Sequence, residues 1–146
     1  MILVHEDRER RFAEIVKIND ASFGSLERAP HGALRDIFDK ATVFVRVSPQ
    51  DHVMSYSFLT IKYDEPYVWV IATDEKYRGL GHAGTLLDEM EQYTRMTTGA
   101  TGIWLTVHIN NAMAQKLYLD KGYRVLKVLH NYYGHEEHGL SMRRPI

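Results

Sequence analysis

Gly79, Gly81 and Gly84 punctuate the stretch Arg78-Gly79-Leu80-Gly81-His82-Ala83-Gly84, which follows an apolar strand pattern and opens a helical one. Such a junction suits phosphate. The N–H groups of a first helical turn have no acceptor within the helix, and the helix dipole adds partial positive charge there, so an anion satisfies both. Glycines let the backbone come close to it. Downstream, Asn111, Ala114 and Tyr118 are spaced i, i+3 and i+7 and share one helical face, with a small side chain between an amide and a phenol. His135-Glu136-Glu137-His138 has metal-ligating residue types but lacks the H-E-x-x-H spacing that sets two imidazoles on one face of a helix, so no metal site is expected.

The elements that must position these residues follow from periodicity. Phe12, Ile15 and Val16 recur at helical spacing, and a second helical pattern runs after Pro30 through Leu34, Ile37 and Phe38. Between them Asn19 to Ser25 reads as a polar loop carrying Phe23. Thr42 to Val47 and the alternating Val53 to Lys62 flank the turn Ser48 to Asp51 and form a hairpin. Asp64-Glu65-Pro66 turns into Tyr67 to Thr73, apolar on both faces and therefore a central strand. A long helix follows the glycines, with Leu86, Leu87, Met90, Tyr93 and Met96 on one face and Gly99 and Gly102 as stops. Ile103 to Val107 is another strand, Asn111 caps a short helix that Gly122 ends, and Tyr123 to His130 with Leu140 to Arg143 make a closing antiparallel pair.

At 146 residues with 45% hydrophobic and 25% charged content, the chain reads as one domain, 1–146, burying roughly two-thirds of its unfolded surface. A net charge of −1 gives no general attraction to nucleic acid or anionic membrane. Arg8, Arg10 and Arg11, interleaved with Asp7 and Glu9, read as a solvated helix face. The absence of cysteine removes disulfides, thiol nucleophiles and thiolate metal sites, which suits a cytoplasmic protein. Met1 to Val4 is too short for a signal h-region, and no run approaches the roughly 18 apolar residues of a membrane span.

Which phosphate ligand the glycines serve can be narrowed. G-x-G-x-x-G suggests a dinucleotide site, but no acidic residue stands between Glu91 and Asp120 to hold a ribose. A nucleoside triphosphate loop needs G-K-[ST], which is missing. The remaining pattern R-x-x-G-x-A, written Arg78, Gly81 and Ala83, resembles the acetyl-CoA-binding signature of the GNAT N-acetyltransferases. Asn111 to Tyr123 resembles that family's second signature, N-x-x-A-x-x-x-Y-x-x-x-G-[FY], in the right order. The resemblance covers roughly Tyr67 to the C-terminus.

The resemblance implies an α/β (α+β) fold: a central mixed, mostly antiparallel sheet flanked by helices, with splayed parallel strands at the cofactor site. Acetyl-CoA is the implied cofactor, its pyrophosphate on Gly79, Leu80, Gly81, His82, Ala83 and Gly84 beside Arg78. Its pantetheine arm pairs like a strand with Ile71, Ala72 and Thr73, and Asn111 offers it an amide. His82 reads as solvent-facing. Tyr118 is implied as the general acid for the leaving thiolate. Asn131-Tyr132-Tyr133 with Glu137 and Met142 is similar to the tail of protein Nα-acetyltransferases, in which the regions of Phe23 and Gly24 and of Tyr132 and Tyr133 wall a peptide groove. Adjacent strand residues face opposite ways, so at most one of Tyr132 and Tyr133 is expected to reach substrate.

The chain departs from its relatives at the general base. Thr106 stands where some place glutamate and others histidine; Tyr67 aligns with a tyrosine that some eukaryotic relatives use as base, and His108, the other candidate, lies on the same strand face as Thr106. A peptide α-amine with a pKa of about 8 is neutral in roughly a fifth of molecules at pH 7.4, whereas a lysine at about 10.4 is neutral in about one molecule per thousand. A missing strong base therefore favours a protein N-terminus as acceptor. A small-molecule amine and a non-catalytic acyl-CoA-binding module are the alternatives, and both a monomer and a homodimer are compatible with the sequence.

Overall fold

The computed structural model describes residues 1–24 and 31–146. In chain order these form α1 (His5–Ser22), α2 (His31–Lys40), β1 (Thr42–Val47), β2 (Val53–Lys62), β3 (Glu65–Thr73), a short 3-10 turn, α3 (His82–Thr97), β4 (Gly102–His108), α4 (Ala112–Asp120), β5 (Arg124–Gly134) and β6 (Glu137–Pro145). The sheet order is β1-β2-β3-β4-β6-β5, and only the β3–β4 pair is parallel. This is the mixed, mostly antiparallel architecture that the sequence implied.

Alternation along the strands splits the core into two layers. Val43, Val45, Tyr56 and Phe58 join Ile15, Leu34 and Phe38 on the α1 and α2 side. Phe44, Leu59 and Leu105 join Leu86, Leu87 and Met90 on the α3 side. On β3 the alternation changes phase, because Val68 lies in the α3 layer while Val70 and Ala72 lie against α1 and α2. An extra residue explains it. Phe58 pairs with Val70 and Leu59 with Val68, so Trp69 is unmatched and forms a β-bulge.

Several local expectations change. Asn19 to Ser22 are the last turn of α1, not a loop, since Asn19 is buried and extends the apolar face of Ile15 and Ile18; Ser25 lies outside the described residues. The β2–β3 turn is Tyr63–Asp64, both left-handed (φ 53° and 63°), so β3 begins at Glu65. Met96 is exposed, because it lies off the Leu86, Met90 and Thr94 stripe that α3 buries. Trp69 is 39% exposed, so β3 is not apolar-covered on both sides throughout. Gly102 opens β4 rather than ending a helix, and its bare Cα admits the Arg143 guanidinium.

Arg11 is also not solvated. It is 2% exposed and tied to Asp51 in the β1–β2 turn and to Glu14. The neighbouring Arg10 also bonds Asp51, and the two guanidiniums hold its carboxyl below the usual range, Arg11 contributing most. None of the helices described is long and apolar enough to cross a membrane.

Candidate active site

Parallel pairing between β3 and β4 extends only over Tyr67–Trp104 and Val68–Leu105. The Trp69 bulge sits where it stops. A bulge bends its strand and increases local twist, so the rest of β3 turns away from β4 and its inner edge, from Trp69 to Thr73, faces a gap. A cavity of about 170 Å³ fills that gap, lined by both strand edges, by the α1 end at Asn19 and Phe23, and by Asn111, Ala114 and Tyr118 of α4.

Past the end of β3, the chain enters α3 through two left-handed glycines, Gly79 (φ 78°) and Gly81 (φ 84°), with open space where a Cβ would stand. No acceptor among the described residues takes the backbone N–H of Gly79 or of any residue from Gly81 to Gly84; the first helical bond is Thr85 N–H to the Gly81 carbonyl, at 3.0 Å. Arg78 folds back, its Nε donating to the Thr73 carbonyl at 3.0 Å. His82 is half-buried against Tyr77 rather than wholly solvent-facing.

The Asn111 side-chain Oδ1 accepts from Ala114 N–H (3.1 Å), which starts α4 and leaves the side-chain NH₂ for another acceptor. Burial alone pushes the Tyr118 phenol up to about 12. Tyr67 is 2% exposed and donates to Thr106 Oγ1 at 3.2 Å; burial raises its pKa. Both phenols are therefore neutral at physiological pH.

This combination of a parallel splay, free amides at a glycine-rich helix start and a capped helix carrying Asn111 and Tyr118 agrees with a match to the acetyltransferase (GNAT) family over residues 7–123. The chain belongs to the GNAT family. A ribosomal protein bS18-alanine N-acetyltransferase of Salmonella typhimurium is 31% identical over 110 residues, 70% of each chain. Its counterpart from Haemophilus ducreyi is 27% identical over 89 residues; the match spans 61% of this chain and 61% of that relative's length. In a crystal structure of the NatC complex bound to Gag peptide and CoA, a chain with 20% identity superposes at a TM-score of 0.86, covering 100% of this chain and 96% of that one.

The GNAT frame brings together Tyr67, Ile71, Thr106, His108, Asn111, Tyr118, Tyr132, Tyr133 and Phe23 around one cavity. Ala72 is buried behind it, Thr73 is held by Ser55 and Arg78, and Gly24 follows Phe23 outside the lining. Both tyrosines reach the cavity, contrary to simple alternation. A positive φ at Asn131 (56°) and an irregular register between Leu129 and Gly134 break the strand just before them.

His108 is 7% exposed, with both ring nitrogens engaged: Nδ1 accepts from Asn110 N–H at 3.0 Å, and Nε2 lies 2.6 Å from Glu137 Oε2. The tautomer is fixed with the proton on Nε2, and no lone pair on the ring is free. The bulge residue Trp69 is not singled out by the sequence, and Glu137, though named in the tail and in the H-E-E-H segment, is not linked there to His108. Glu137 meets His108 only through β4–β6 pairing, and a bulge leaves no composition signal. Within the H-E-E-H segment, His138 Nδ1 instead accepts from Asn131 N–H, and His135 is exposed.

Proposed function

We propose that this chain is an acetyl-CoA-dependent N-acetyltransferase acting on the α-amine of a protein N-terminus. The early end of β3–β4 pairing carries the reading, because it leaves a strand edge, an anion-ready helix start and a phenol converging on one gap. The chain's groups fit the cofactor: the amides of Gly79 to Gly84 would hold the pyrophosphate, the β3 edge from Trp69 to Thr73 the arm's amides, with Asn111 NH₂ beside them and Ala114 leaving room. Acetyl-CoA, when bound, supplies an acetyl group as a thioester that an amine nitrogen attacks, forming C–N as C–S breaks.

Tyr118, kept protonated by burial, gives its proton to the departing sulfur. The ammonium proton has no carboxylate to go to at Thr106. Tyr67 and Thr106 form a neutral donor–acceptor pair that orders water to carry it, and His108, locked between Asn110 and Glu137, positions Tyr133 through ring stacking at 5.2 Å. An arrangement without a strong base serves an α-amine best, the deprotonation gap to lysine being roughly 3 kcal/mol. Phe23, Tyr132 and Tyr133 provide aromatic walls for a peptide, and the two similar bS18-alanine acetyltransferases act at a protein alanine.

Mass spectrometry after incubation with acetyl-CoA tests this, using matched lysine-containing peptides with free or blocked N-termini. Label is expected on the free α-amine alone. Equal labelling of the blocked peptides overturns the α-amine assignment.

A further inference from the structure

Beyond Thr106 the sheet face that carries α1 and α2 over β2 and β3 continues onto β4, β6 and β5, where a second cavity of about 310 Å³ opens. The two cavities share Thr106 and Tyr132. The second is therefore a way out of the reaction gap for the rest of an acceptor chain.

Its charges are unbalanced. Arg143 and Glu65 neutralise each other through 2.9 Å contacts. Lys62 and Lys127 also line the cavity, and among the described residues neither has a carboxylate within 4.0 Å. The Lys62 ammonium instead rests against four aromatic rings, 4.7 Å from the Tyr67 centroid, 5.6 Å from Trp104, 5.7 Å from Trp69 and 5.8 Å from Tyr63. In a chain whose net charge is −1, two uncompensated cations at this point are a local feature. Aromatic faces hold a cation without neutralising it and keep water from it, so the charge remains available to an anion.

We propose that this cavity receives an acidic side chain of the acceptor peptide, just behind the acetylated α-amine, with Lys62 as its counter-ion and Lys127 in support. The proposal rests on the N-terminal acetyltransferase reading. The reach is right: Lys62 touches the ring whose hydroxyl bonds Thr106, and an extended peptide advances about 3.3–3.6 Å per residue, which brings the second or third side chain to the ammonium.

The test compares a peptide with glutamate at its second and third positions with its glutamine twin. Acetylation kinetics are read alongside a binding titration of the fluorescence of Trp69 and Trp104, the chain's two tryptophans. At low salt kcat/KM for the acidic peptide is expected to exceed that of its twin by roughly fivefold. The ratio should shrink as salt is added, fall below about twofold in Lys62→Gln and survive in Lys62→Arg. Equal kcat/KM for the twins overturns the cavity assignment and leaves the enzyme reading standing, as does a ratio untouched by Lys62→Gln. Tighter binding of the acidic peptide, lost in Lys62→Gln, with neither peptide acetylated does the opposite.

Discussion

Tyr118 and Tyr67 are both neutral phenols on one cavity, yet they are equipped differently. The Tyr67 hydroxyl is engaged with Thr106 and Tyr132, whereas burial is what raises Tyr118. A donor needed only as C–S breaks must be free of another acceptor, so Tyr118 suits the acid role. Tyr118→Phe removes the proton and keeps the ring; kcat is expected to fall about a hundredfold, with acetyl-CoA affinity by calorimetry changed less than about twofold. An unchanged kcat removes the role. The sign of its shift also matters. Raised to about 12, the phenol remains protonated through the alkaline range, and the rate should show no downturn from Tyr118 between pH 8 and about 10.

Among the elements, the entry to α3 is a ligand site because of backbone conformation. Gly81 adopts φ 84°, which an L side chain tolerates poorly, but an added Cβ meets no protein atom within 4 Å. Gly81→Ala should therefore cost only about 1 kcal/mol of stability in urea titrations, while acetyl-CoA affinity falls about tenfold because the methyl occupies the approach to the amides. Undiminished affinity would move the anion elsewhere. This element was readable in the sequence, as was α4, because glycines before a helix and Asn111 at a cap act through neighbours in the chain. The bulge was not readable: Trp69 looks like any apolar residue of a strand until β2 supplies its register. Arg11 was misread for the same reason, since its acceptor Asp51 lies forty residues away. The existence of a splay followed from resemblance; its cause emerges only when three strands are seen together.

The whole molecule keeps buried phenols at three places that fold together. Tyr56 lies in the α1–α2 layer, Tyr123 in the α3 layer and Tyr67 at the splay, with exposures of 0%, 1% and 2%. Among the described residues the hydroxyls of Tyr56 and Tyr123 have no hydrogen-bond partner, and burial is the largest influence raising all three pKa values above 10. The folded state thus retains protons that the unfolded chain releases above about pH 10, so stability is undiminished below that pH and falls as pH rises through it. Each tyrosine steepens the fall by up to about 1.36 kcal/mol per pH unit, and these three with Tyr118 by up to about 5. Urea midpoints are expected to be flat to about pH 9 and to drop steeply above about 10. The late part of the phenolate absorbance should appear together with loss of helical circular dichroism. Tyr56→Phe, which cannot ionise, should lessen the alkaline fall without moving the reaction gap. Complete tyrosine titration near pH 10 with the helical signal intact would show that water reaches these phenols, and that the two layers open far more readily than their packing implies.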